Sequence, residues 1–206
     1  MSESWISKHW FKKIISTRRD KKNLSSFPFR TMEELEEYCQ STVSSIYYLM
    51  NERTIELTKD DFKNTPGYRI SLDHIANHFG KAQGLCNIIR GISHNGKYRR
   101  CYIPNDILVK TSCTHEDILR GIVNDQIQEA VFDIASKANQ HLEKTISLIK
   151  STEHISNDRQ IYFPYLSVQD YLKRLRTSHF NPFDSRLVQR NGFLVFKIWL
   201  QNKKFL

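Results

Sequence analysis

SLDHIANHFGKAQGLCNIIR, residues 71–90, places Leu72, Ile75, Ala76, Phe79, Ala82, Cys86 and Ile89 at steps of three and four. Such steps return to one side of a 3.6-residue turn, so the stretch reads as an amphipathic helix starting near Ser71. A second stripe is longer and cleaner: Ile127, Val131, Ile134, Ala135, Ala138, Leu142, Ile146 and Ile149 predict a helix from Asn124 to Lys150. Two stripes of this length need partners inside a bundle, and the expected fold class is all-α.

Working outward, Thr31-Met-Glu-Glu34 has the pattern of a capping box, opening a helix through Leu35, Tyr38, Cys39, Thr42, Val43, Ile46 and Leu49. Thr114-His-Glu-Asp117 is a second candidate box. Residues Gly91 to Pro104 read as a loop and Asp106 to Lys110 as a short helix. Ser167-Val-Gln-Asp170 opens a further helix, and a last one is expected from about Asp184 to Asn202. At the N-terminus, Trp5, Ile6, Trp10, Ile14 and Ile15 share a helical side among basic residues. Two readings of it compete, a mitochondrial presequence and the first helix of the fold.

The 206 residues suit one domain, with 1–30 as first helix and linker and 31–206 as the main part. Gly 7 and Pro 5 are each about half of average usage, which argues against a turn-rich β sandwich or barrel. Mean hydropathy is −0.53, and no run approaches the ~18 apolar residues of a membrane-spanning helix. Lys and Arg total 31 against 22 Asp and Glu, a net charge of +9 that favours anionic partners in general. The basic residues come in short runs, with no helix-turn-helix signature or aromatic-basic interleaving, so nucleic acid is not the expected partner. Cys39, Cys86, Cys101 and Cys113 are too widely spaced for a metal knuckle, and they fit a reducing compartment.

Asp73, His74 and His78 invite a metal reading, because His residues four apart share a helix face. Ile75 stands where an HExxH motif has its glutamate, and no third ligand is identifiable. Polar, partly buried histidines are the competing reading.

The string Asp73-His-x-x-x-His-x-Gly-Lys-Ala-Gln-Gly84, leading into Asn87-Ile-Ile-Arg90 and Tyr102-Ile-Pro104, resembles the squalene/phytoene synthase family. Tyr38 with Thr42, Ser44 and Ser45 resembles it too, as do Val131 to Ala135 with Ser136, Ala138, His141 and Leu142. Phe180 to Phe183 and Gln189-Arg190-Asn191 extend the likeness over nearly the whole chain. Within the family the similarity is greatest to the branch of mitochondrial respiratory complex I assembly factors.

The resemblance implies an isoprenoid synthase-type helical bundle. In the active enzymes it implies two aspartate-rich motifs, on facing helices, that hold Mg²⁺ against a diphosphate. Here Gly91 follows Arg90 where those enzymes have Asp, and His94-Asn95 stands for a Glu-Asp pair. Lys97, Arg99 and Arg100 flank the segment. Mg²⁺ needs hard carboxylate ligands, so the expectation is a non-catalytic chain with no cofactor. The segment Trp5 to Arg19 resembles an internal family helix, which implies a bundle incomplete at the N-terminus.

The expected function is assembly of complex I from the matrix, peripheral to the inner membrane, with complex I subunits or other assembly factors as partners. Candidate pocket or contact residues are Tyr38, Thr42, Ser45, Asp73, His74, His78, Lys81, Asn87, Arg90, Lys97, Arg99 and Arg100. The alternative is a binder or transferase of prenyl diphosphates or isoprenoid lipids, using Tyr38, Thr42, Ser45 and Asn87. Helix packing is the competing role for those four.

Overall fold

The computed structural model describes residues 29–57, 65–152, 155, 158–189 and 191–203. The readings of Trp5 to Arg19 fall outside these residues. All regular elements among them are helical, and none is a strand. In chain order they are α1 (Met32–Cys39), a π-helical turn (Gln40–Ser44), α2 (Ser45–Leu57), α3 (Pro66–Lys97), α4 (Asn105–Lys110) and α5 (His115–Arg120). Then come α6 (Asp125–Ser151), a 3₁₀ turn (Asp158–Tyr162), α7 (Tyr165–Thr177), another 3₁₀ turn (Ser185–Leu187) and α8 (Phe193–Lys203).

Helices α3 and α6 make the most extensive helix–helix contact among the described residues. Leu72, Ile75, Ala76, Phe79, Ala82, Leu85 and Ile89 of α3 are buried. So are Ile127, Ala130, Val131, Ile134, Ala138 and Leu142 of α6. The predicted stripes therefore form the centre of the bundle. α1, the π turn and α2 cover one side of α3, and α7 packs on both central helices.

Close approach of α1 and the π turn to α3 depends on two glycines. A Cβ at Gly80 would overlap Ser44, backbone included, and one at Gly84 would come within 2.7 Å of both Cys39 Cβ and Sγ. Ser44 Oγ donates to Asn77 O (3.1 Å), bonding the π turn to α3.

The π turn corrects the predicted stripe of the first helix. One row of buried positions runs Leu35, Cys39, Ser44, Tyr48, Asn51, Ile55, with a step of five across the turn. A turn widened by one residue rotates everything after it. Ile46 and Leu49, expected inside, are exposed, while Ser44, Ser45 and Tyr48 face inward.

Four boundaries also differ from expectation. At one of them α7 starts at Tyr165 after Pro164, so Ser167 lies inside the first turn and does not cap it. α3 begins at Pro66, whose missing N–H costs nothing in a first turn. It also continues through the segment read as a loop, to Lys97. Packing carries it through Gly91 and Gly96: Ile92 is buried, and a Cβ at Gly96 would sit 3.4 Å from Ile118 O of α5. The expected helix from Asp184 splits into a 3₁₀ turn and α8. Asn191 holds the break, donating to Asp170 Oδ1 of α7 (2.7 Å) while its own Oδ1 accepts from Phe193 N (3.1 Å).

The Thr114 box is reciprocal: Asp117 N donates to Thr114 Oγ1 (3.2 Å) and Thr114 N to Asp117 Oδ2 (3.1 Å). At Thr31 only half of the box forms. Glu34 N donates to Thr31 Oγ1 (3.4 Å), but the Glu34 carboxylate accepts from Arg30 N (2.7 Å), one residue earlier than expected.

Candidate functional site

Ten of the sequence-selected residues, from Asp73 to Lys97, lie on α3, and its geometry separates them. At 1.5 Å per residue, Asp73 and Asn95 are about 33 Å apart along one helix, too far to serve a single small ligand. The residues form three groups.

At the N-terminal end, Asp73 is half-buried and His74 exposed. Burial first, then the neighbouring Glu52 charge, pushes the Asp73 carboxyl up to about 6. Arg69 draws Glu52 into an ion pair at 3.0 Å. Among the described residues no hydrogen bond joins His74 to His78. The partner of His78 is instead His141 of α6, Nδ1 to Nδ1 at 2.9 Å. Among the described residues no three His, Cys, Asp or Glu side chains stand together as a metal-binding group.

The middle group joins three helices. His141 Nε2 lies 3.3 Å from Glu36 Oε2 of α1, and Lys81 Nζ lies 3.5 Å from the same oxygen. Lys137 Nζ is 4.0 Å from Glu36 Oε1. The Glu36 carboxyl is held below its ordinary value, chiefly by the His141 hydrogen bond. Burial first, then the charges of His141, Lys81, Lys144 and His74, lowers His78 to about 4. A neutral His78 thus faces His141, which bonds the carboxylate behind it. His78 and Lys81 were legible in the sequence. Glu36 was missed as a site residue, and His141 was noted only for its family likeness. Their one local signal is a polar position beside an apolar stripe, which many surface residues share.

The C-terminal group is Asn87, Arg90, Gly91, His94, Asn95 and Lys97. Arg90 donates to Asn87 Oδ1 (3.2 Å), occupying that amide oxygen. A Cβ at Gly91 would meet Asn95 Nδ2 at 2.9 Å, so the Asn95 amide lies over the glycine. The exposed His94 ring packs on Tyr98, centroids 5.1 Å apart. Lys97, Arg99 and Arg100 are exposed, and Arg99 reaches Glu116 of α5 at 3.4 Å.

Tyr38, Thr42 and Ser45 make their described contacts close by in the chain. The Tyr38 ring lies against Phe29, centroids 5.2 Å apart. Thr42 Oγ1 donates to Tyr38 O (2.7 Å), and the buried Ser45 Oγ to Ser41 O (2.5 Å). The two hydroxyls are bonded within their own helical run, as packing residues are. All four cysteines are free and buried, and burial pushes the Cys39 and Cys86 thiols up to about 12. They behave as small apolar side chains.

A family model described as squalene/phytoene synthase matches residues 1–193. The chain is 31% identical over 199 residues to the mouse (Mus musculus) protein named NADH dehydrogenase (ubiquinone) complex I, assembly factor 6, covering 96% of this chain and 55% of that protein. It is 31% identical over 206 residues to the Dictyostelium discoideum homolog of that factor, covering 100% of this chain and 54% of the other. The chain thus spans about half the length of these relatives. A crystal structure of a dehydrosqualene synthase superimposes with a TM-score of 0.73 at 16% identity, over 96% of this chain and 64% of the other. That likeness shows a shared all-α isoprenoid synthase fold.

Proposed function

The chain belongs to the squalene/phytoene synthase family, and from that premise we propose that it is a non-catalytic assembly factor for mitochondrial respiratory complex I. It acts by binding protein from the matrix, peripheral to the inner membrane, with complex I subunits or other assembly factors as its partners. A fold hosts many functions, so the family alone does not select this one. The observation that carries it is the reach of the similarity. Proteins named complex I assembly factor 6 or its homolog match over 94–100% of the chain, and a chloroplast phytoene synthase over 56%.

The C-terminal group on α3 supports the non-catalytic part. A Mg²⁺–diphosphate cluster takes carboxylate oxygens. The residues present do not fit one: Gly91 has no side chain, His94 and Asn95 bring no carboxylate, and Arg90 occupies the Asn87 oxygen. Lys97 and Arg100 instead give this end of the helix an exposed cationic surface, suited to an acidic partner. No helix among the described residues is long and apolar enough to cross a membrane, which fits a peripheral position.

The test is a null mutant examined by native gel and respiratory activity. Complex I should fall while the other respiratory complexes are spared, and this chain, carried into mitochondria, should restore it. A folded, imported copy that leaves the defect uncorrected overturns the assignment for this chain. Robust Mg²⁺-dependent turnover of farnesyl diphosphate by the purified protein overturns the non-catalytic reading.

A further inference from the structure

A groove of about 830 Å³ runs between α6, α7 and α8, on the side of α6 turned away from α3. Its apolar wall includes Phe132, Leu172, Phe180 and Leu194, with Phe132 and Phe180 meeting edge to face at 5.0 Å. Lys173, Arg176 and Lys197 line it as well, and none of the three pairs with a carboxylate among the described residues. The one acid in the lining is Asp170, whose Oδ1 accepts from Asn191 Nδ2 (2.7 Å) and whose charge is paired with Arg174, Oδ2 to Nε at 3.0 Å. The groove is therefore apolar and, in net terms, cationic. Its volume lies within the range of small-molecule sites.

The wall continues onto α8. A helix that is apolar all round normally lies buried. Yet Phe193, Val195, Phe196 and Trp199 of FLVFKIWLQNK are exposed, with the Phe196 and Trp199 rings stacked at 5.8 Å. Eleven residues span only about 17 Å, short of the roughly 30 Å hydrocarbon core. A helix this short does not cross a bilayer, and the exposed Trp199, apolar with one polar edge, suits the depth of a membrane interface.

We propose that the α6–α7–α8 groove binds an anionic phospholipid, with the head-group phosphate held by Lys173, Arg176 and Lys197 and the acyl chains along Leu172, Leu194 and the outer face of α8. Charge complementarity selects this occupant: a zwitterionic lipid offers the same phosphate but carries its own cation beside it, so it brings no net negative charge to the three cations of the groove. The inference rests on the peripheral-membrane part of the proposed function and names the surface that would serve it.

The experiment is co-sedimentation of the whole protein with phosphatidylcholine vesicles, with and without phosphatidylglycerol. A Trp5→Phe/Trp10→Phe background leaves Trp199 as the sole tryptophan reporter. We expect binding that requires phosphatidylglycerol, with a blue shift of Trp199 emission. Lys173→Glu/Arg176→Glu/Lys197→Glu should weaken it at least about tenfold, since each cation near an anionic surface contributes to attraction. These side chains are exposed, so circular dichroism should be unchanged. Lys97→Glu/Arg99→Glu/Arg100→Glu changes the net charge equally but lies outside the groove, and should weaken binding far less. Equal losses in the two triple variants, equal binding to neutral vesicles, or no vesicle binding would each overturn the proposal. Binding to an acidic peptide in place of vesicles would overturn it also. Complex I rescue is scored separately, so a protein that rescues without binding vesicles loses this inference and keeps the assembly role.

Discussion

His78 Nδ1 and His141 Nδ1 stand 2.9 Å apart across the α3–α6 contact. Two N–H groups cannot face each other at that distance, so one ring must accept with a bare Nδ1. Behind His141 stands the Glu36 carboxylate, 3.3 Å from Nε2. A proton added to His78 would place a half-buried positive charge close to the charges of His141, Lys81 and Lys144.

The consequence is a pH dependence with two opposed parts. The pKa of His78 drops from about 6.5 unfolded to about 4 folded, so its contribution to stability is full above pH 6.5 and is lost as pH falls toward 4. Asp73 is raised from 3.8 to about 6, so the folded protein takes up its proton first and gains stability as pH falls from 6 toward 4. Over the shared window the two largely offset. Asp73→Asn should therefore lose melting temperature more steeply than wild type between pH 6.5 and 4.5, and His78→Asn should lose less or gain. Thermal melts across that range decide it; three parallel curves would remove both groups from the account.

Gly80→Ala should destabilise the protein by about 1–3 kcal/mol, because the added methyl meets the Ser44 backbone and not a movable side-chain tip. Gly67→Ala is the contrast. Nothing lies within 4 Å of a Cβ there, and Ala is the better helix former, so that change should be neutral or gain up to about 1 kcal/mol. Urea midpoints at constant m-value measure both.

The Tyr162 hydroxyl, fully buried, donates to Asn51 Oδ1 (2.8 Å), while Asn51 Nδ2 donates to Leu72 O (3.1 Å). Tyr162→Phe leaves a buried amide oxygen without its donor and should cost about 1–3 kcal/mol. Adding Asn51→Leu removes the orphaned group, so the double variant should lose less than the two singles together. Strict additivity in the cycle would show that the two side chains are not coupled.

Gly91→Asp/Asn95→Asp should not generate synthase activity. The substitution supplies one acidic pair, whereas the family resemblance implies two facing motifs, and Lys97, Arg99 and Arg100 remain close by in the chain. Product analysis with farnesyl diphosphate and Mg²⁺ should show none above the unmodified protein. Turnover by the double variant would mean that one acidic pair is enough on this fold.

Local periodicity alone determined that the chain is helical and which sides of α3 and α6 are buried. Ile75, Phe79 and Ile89, or Ile134, Ala138 and Leu142, announce a shared face through spacing that every turn repeats. The Thr114 box was legible for the same reason, its donor and acceptor being three residues apart. Tertiary structure decided what that spacing cannot carry. The π turn turns Ser44 inward and Ile46 outward because Gly80 admits Ser44 against α3. α3 runs on through Gly91 because Ile92 and Gly96 pack there, against a local preference to stop. Of the middle group, His78 and Lys81 lay in a recognisable string, but the bond that gives His78 its meaning crosses 63 residues to His141. A side chain's neighbours on its own helix follow from the repeat. Its neighbours on another helix follow only from how the two surfaces pack.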